Sequence, residues 1–139
     1  MKAFNHENTK RGNHKIEENI QFEELSKKII GAAIEVHRVL GPGFLENIYE
    51  EALKLELSRR GIGYDTQREI KIGYLGDQVG LHRLDMLIEN EIIVELKVAK
   101  ELSDIHLAQL LSYLKAANLK VGLLLNFSKP TLEIRRVVR

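Results

Sequence analysis

The chain has 139 residues, 21 Lys and Arg against 20 Asp and Glu, 44% hydrophobic residues and no Cys. This is the profile of one globular domain, long enough to bury roughly two-thirds of its extended surface without metal or disulfide staples. The composition excludes disulfides, thiolate zinc sites and a cysteine nucleophile, and the balanced charge excludes nucleic-acid binding by bulk positive charge, leaving only local basic patches.

Residues 1–21 are polar and charged, with Phe4, Ile16 and Ile20 as isolated apolar anchors, so a mobile leader is expected there, ahead of a single domain over 22–139. His6 and His14 in that leader read as solvated. The start offers no apolar segment for secretion, and no run approaches the ~20 apolar residues of a membrane span, so a cytoplasmic setting is expected.

From Glu23, Leu25, Ile29, Ala32, Val36 and Leu40 recur at helical spacing and predict an amphipathic helix. Gly41-Pro42-Gly43 ends it. A second helix follows, with Leu45, Ile48, Ala52 and Leu55 or Leu57 as its stripe, and Arg59-Arg60-Gly61 as its end. The period then shifts to two. Residues 64–72 read as a strand, Gly73, Gly76-Asp77 and Gly80 mark a turn region, 81–89 is a second strand, and 92–98 a third that forms a hairpin with it across Asn90. Ser103 or Asp104 caps a third helix with Leu107, Leu110, Leu111 and Leu114 on one stripe. Residues 121–127 read as a fully buried strand, and 132–138, after Pro130, as an Arg-rich edge strand. The order ααβββαββ, with the third helix as a right-handed parallel crossover, is a mixed α/β fold.

The informative residues are those that interrupt the apolar hairpin: Asp85, and Glu95 with Lys97. Glu95 and Lys97 are two apart and share a sheet face. Asp85 joins them only if the strands pair about Asn90, through an odd loop such as Glu89-Asn90-Glu91 or a bulge; a two-residue Asn90-Glu91 turn separates the carboxylates. If they converge, two carboxylates and the Leu96 backbone carbonyl make a hard oxygen site for magnesium or manganese beside a lysine, the equipment for phosphodiester hydrolysis. The competing reading is a solvent-facing sheet in which Arg83, Asp85, Glu95 and Lys97 are cross-strand ion pairs. Against it, Ile93 shares the Glu95 face, and a covered face makes lone charges expensive.

His106, Gln109 and Tyr113 fall along one side of the third helix, either a polar ridge over the site or an ordinary half-exposed face. Glu46 and Tyr49 lie on the first turn of the second helix, where Glu is also good helix chemistry. His37 reads as a packing or capping residue. No dinucleotide fingerprint, Walker loop, Gly-x-Ser-x-Gly or His-Glu-x-x-His is present. The doublets Lys27-Lys28, Arg59-Arg60 and Arg135-Arg136, with Arg139, can meet phosphates, though solvated surface is the default for each.

Gly43-x-x-Glu46-x-x-Tyr49, Arg83-Leu-Asp85, Glu95-Leu-Lys97, Gln109-Leu-Leu-Ser-Tyr113 and Val121-Gly-Leu-Leu-Leu-Asn-Phe127 resemble, in order and spacing, the GxxExxY family of the PD-(D/E)XK nuclease superfamily. The resemblance covers roughly residues 25–138. It implies a restriction-endonuclease-like core, with Asp85 and Glu95 as metal ligands, Lys97 as the catalytic lysine and Glu46 as a helical acid near the metal. Gln109 and Tyr113 match the Gln-x-x-x-Tyr motif of the exonuclease-like branch and, with Arg83, are expected to support the site or touch DNA. Leu84 stands where the superfamily pattern has Pro, which removes no ligand. The implied function is a magnesium- or manganese-dependent nuclease acting on DNA, as a homodimer or with a targeting partner. The alternative is an inactive nucleic-acid-binding or protein-interaction module on the same fold.

Overall fold

Helix α1 (Lys2–Leu40) buries Ile29, Ala32, Ala33 and Val36, the stripe expected from spacing. This computed structural model describes the backbone of residues 2–139, together with the side chains of Glu17 and of residues 20–139. The expected leader, with His6 and His14, therefore lies for most of its side chains outside the described residues, while its backbone continues α1. α1 ends at Gly41 and Gly43, whose φ angles of 69° and 115° are those that glycine tolerates best. Tyr49 staples this turn, its hydroxyl donating to Gly41 O at 2.6 Å and accepting from Phe44 N at 3.2 Å. The turn delivers the chain into α2 (Glu46–Arg59), which buries Tyr49, Leu53 and Leu57; Leu45, Ile48 and Leu55 of the expected stripe are exposed, because the face that carries Tyr49 is the one turned to the core.

Five strands follow, β1 (Tyr64–Tyr74), β2 (Asp77–Ile88), β3 (Ile92–Lys97), β4 (Val121–Asn126) and β5 (Glu133–Val138), with α3 (Asp104–Ala117) between β3 and β4. They form one sheet in the order β1-β2-β3-β4-β5, in which β3 and β4 are parallel and the other neighbours antiparallel. This is the expected ααβββαββ order and an α/β architecture consistent with a restriction-endonuclease-like core. The region read as a turn over 73–80 is instead mostly paired strand, Gly73 with Gln78 and Tyr74 with Asp77. Only Leu75 and Gly76, with φ of 49° and 89°, turn the chain, because a two-residue mirror-type turn matches the twist of a hairpin.

The sheet divides two apolar layers. Helices α1 and α2 cover one face through Ile29, Tyr49, Leu53, Met86, Val94 and Phe127; α3 covers the other through Leu84, Leu87, Ile93, Leu110, Leu114 and Leu124. β3 and β4, covered on both faces, are therefore almost continuously apolar. α3 sits so close to β4 that a Cβ added to Gly122 would lie 2.8 Å from Leu110 Cδ1 and 2.9 Å from its Cγ. Gly122→Ala is accordingly expected to destabilise the fold by about 1–3 kcal/mol through overpacking, measured as a lowered urea midpoint at unchanged slope.

Candidate metal centre

The hairpin register decides whether the two carboxylates meet. Met86 pairs with Val94, Leu87 with Ile93 and Ile88 with Ile92, so the strands are centred on Asn90. The loop is the odd one, Glu89-Asn90-Glu91, with Glu89 and Asn90 at φ of 52° and 57° and Glu91 N donating to Ile88 O at 2.9 Å. Glu89 is tied down further, its Oε1 accepting from Gly63 N at 2.7 Å.

Beyond Met86 the two strands part. Asp85 fills the gap with its side chain, Oδ2 accepting from Leu96 N at 2.9 Å in place of a ladder carbonyl. At the same level the in–out alternation of β2 breaks: Leu84 packs into the α3 layer, whereas Met86, two residues on, packs into the α1–α2 layer. The residue facing Asp85 across the ladder, between the pairs Thr66–Met86 and Arg68–Leu84, is Gln67, at φ of 54°. A positive φ in mid-strand is strain, and here it stands beside the carboxylates.

Glu95 is buried, and Ile93 on its face is wholly inaccessible, so this part of the sheet is not a solvated ion-pair surface. Burial first, then a hydrogen bond to Asp85 and the charge of Asp85, push the Glu95 carboxyl up to about 9 from its ordinary 4.5; Lys97 opposes them. The two acids thus share a corner that resists holding both their charges. Glu46, exposed at the start of α2, feels the same corner: desolvation and then Asp85 raise its carboxyl, and Lys97 lowers it.

Three neighbours, Gln67, Glu50 and His82, stand outside the motif residues. Glu50, one helical turn after Glu46, is also raised by desolvation and by Asp85, and its Oε1 accepts from Gln67 Nε2 at 3.3 Å. The i, i+4 spacing from Glu46 is the signal that points to it. His82 lies with its Nε2 3.5 Å from Glu95 Oε1 and its ring stacked on Tyr113, centroids 3.7 Å apart and planes 12° apart. Period-two reading aims His82 away from Asp85, and only the break in alternation brings it to the site.

Other expected site residues are placed apart. Arg83 is exposed and faces Glu69 at 3.4 Å, and Gln109 is exposed on α3. His106 closes the capping box of α3 with Ser103. His37 bonds Lys129 O at 2.8 Å and stacks on Phe127, a packing role. Tyr49 also stacks on Phe127, at 4.5 Å, so its contribution is to hold the turn before Glu46. Asn126, paired with Lys97 across β3 and β4, accepts from Ala99 N at 3.0 Å and donates to Ala99 O at 2.8 Å and to Glu133 Oε1 at 3.0 Å, fixing the chain just after the lysine.

The donor set fits a hard divalent cation. Glu95 is buried beside the charge of Asp85, and its Oε1 has no hydrogen-bond partner among the described residues. Among those residues no three Asp, Glu or His side chains converge to hold an ion unaided, so an ion at Asp85 and Glu95 needs further oxygen ligands from the backbone or from water.

A family model of the PD-(D/E)XK nuclease superfamily matches residues 23–137, spanning both helices that flank the site and every strand but the last residue of β5. The chain belongs to the PD-(D/E)XK nuclease superfamily. Nucleases of this superfamily generally use divalent metals and bind nucleic acid. Among solved structures, the crystal structure of SSO0001 is similar at a TM-score of 0.51 and 19% identity, over 67% of this chain and 49% of that one. That likeness concerns the fold, and this chain spans about half of that chain's length, 49%. Comparison with curated proteins gives no match. Among the described residues no helix is long and apolar enough to cross a membrane.

The sign of the Glu95 shift has a consequence for stability. The folded carboxyl keeps its proton up to about 9 while the unfolded one releases it near 4.5, so between those values the native state binds more protons and stability falls as pH rises. In chelator, the melting temperature is expected to decline across that window. Glu95→Gln, which mimics the protonated acid, should melt higher than wild type at pH 8 and show a flatter profile. A lower melting temperature for the variant would show that the corner carries no such repulsion.

Proposed function

We propose that this chain is a GxxExxY-type nuclease that hydrolyses phosphodiester bonds of DNA with magnesium or manganese. The observation that carries the reading is the single desolvated corner in which Asp85 and Glu95 meet beside Lys97. Two neighbouring carboxyls in such a corner do not serve stability, since either both charges are buried together or one acid is held protonated far above its ordinary range. The arrangement is instead suited to concentrating negative charge where a cation and a phosphate come together.

Asp85, Glu95 and the Leu96 carbonyl would hold the ion. When bound, it supplies a water of lowered pKa and neutralises charge developing on the phosphate. Lys97, next along the Glu95 face, donates to the phosphate oxygens or the attacking water and stabilises the same charge. Glu46 and Glu50, at the start of α2, accept hydrogen bonds from water on the outer side of the corner. Tyr113 stands over the corner from α3, and the exposed Gln109 and Arg83, placed apart from it, are available to a longer substrate. A chain of this size offers little surface to a duplex, so a second copy or a targeting protein extends the contact.

Calorimetric titration of magnesium and manganese, run beside cleavage of single- and double-stranded DNA, tests the reading. Lys97→Ala is expected to keep metal affinity and lose about 100- to 1,000-fold in cleavage rate. Glu95→Ala should lose metal affinity and cleavage together. Metal binding without turnover by the wild type would favour the inactive binding module, and full cleavage by both variants would refute this assignment of the site.

A further inference from the structure

His82 and Glu95 share the α3 side of the sheet. Leu84, which follows His82 at a two-residue step, packs into the α3 layer, and so does Ile93, which precedes Glu95 at the same step. Tyr113 reaches down from α3 and lies flat on the His82 ring, at 3.7 Å and 12°. Stacking fixes the plane of the imidazole and leaves its Nε2 3.5 Å from Glu95 Oε1. Neither atom has a hydrogen-bond partner among the described residues, although both are buried.

A buried carboxylate oxygen without a donor is costly, about 1–3 kcal/mol or more when charged. A separation of 3.5 Å is too long for a finished hydrogen bond and short enough that a small rotation of the carboxylate completes one. The groups facing the ring are Glu95, Asp85 and Lys97. Glu95 Oε1 has no other partner, so the hydrogen bond between Glu95 and Asp85 runs through the second oxygen, and Oε1 remains an acceptor that draws the imidazole proton to Nε2.

We infer that His82 is a positioning residue for Glu95: its Nε2–H donates to Oε1 and turns the other carboxylate oxygen toward the cation, while Tyr113 is the platform that locks the ring. The inference rests on the metal-dependent reading above and gives Tyr113 a task independent of substrate contact. Hydrogen bonds of this kind behind a metal ligand fix its rotamer and basicity, and losing one typically weakens metal affinity 10- to 100-fold.

The test uses the full chain and two substitutions that separate packing from donation. His82→Phe keeps a ring on Tyr113 and removes the N–H; His82→Gln removes the ring and keeps an N–H at the equivalent Nε2 position. Manganese and magnesium titrations by calorimetry are expected to show a 10- to 100-fold weaker Kd for His82→Phe and a value nearer wild type for His82→Gln. Tyr113→Leu should weaken binding in the same direction, and the His82→Phe/Tyr113→Leu double variant should be no weaker than His82→Phe alone. A merely structural histidine gives the reverse order, Phe tolerated and Gln harmful, and overturns the inference while leaving the nuclease reading intact. A wild type that binds neither metal refutes that reading and with it the steering of an oxygen toward the cation, and the spectra that follow then decide the Nε2–H donation by themselves. Long-range ¹H–¹⁵N spectra above pH 7 should place the His82 proton on Nε2, with a shift that moves in Glu95→Gln; a proton on Nδ1 overturns it.

Discussion

The structure depends on the point where β2 and β3 stop pairing. There the backbone ladder gives way to a side chain, and Asp85 Oδ2 takes the Leu96 N–H at 2.9 Å. One bond thereby satisfies a buried amide, fixes the Asp85 rotamer and opens the strands enough for Glu95 to share the corner. Without it the separated strands would leave an orphan donor in an apolar setting, at a cost of about 1–3 kcal/mol.

Much of the surrounding fold serves this separation. Loop Glu89-Asn90-Glu91 sets the register, and Gln67 absorbs the change of face with a positive φ opposite Asp85. The break in alternation lets residues two apart on β2 face opposite helices, Leu84 toward α3 and Met86 toward α1 and α2. It is also why residues from both layers, Glu46 and Glu50 from one side and His82 and Tyr113 from the other, all feel the charge of Asp85. The burial of Glu95 beside Asp85 works against the metal-free fold, and the apolar layers on both faces offset it.

Motif residues divide between scaffold and chemistry. Gly43 and Tyr49 shape and staple the turn that aims the start of α2, whereas Glu46 is the residue so aimed. The aromatic column of Tyr49, Phe127 and His37 joins that turn to the end of β4. Asn126, one residue earlier, anchors the chain that follows Lys97. Sequence spacing marks these residues as a set without saying which of them touch the corner.

Periodicity, capping and the glycine-proline punctuation are local signals, and they determined the order ααβββαββ, the two-sided burial of β4, and the helix starts at Ser103 and after Gly43, while the covering of the Glu95 face of β3 was left to the fold. They also marked Asp85, Glu95 and Lys97, because charges within an apolar hairpin stand out in one dimension. They left open whether Asp85 and Glu95 share a face, since two loop lengths at Asn90 obey the same local rules and differ by a one-residue register. That choice was made by tertiary packing: only the Asn90-centred pairing puts Met86, Ile88, Ile92 and Val94 together against α1 and α2. His82 was invisible for a related reason. Its place beside Glu95 depends on a break in alternation that no periodic pattern encodes and that exists only because the strands part at Asp85.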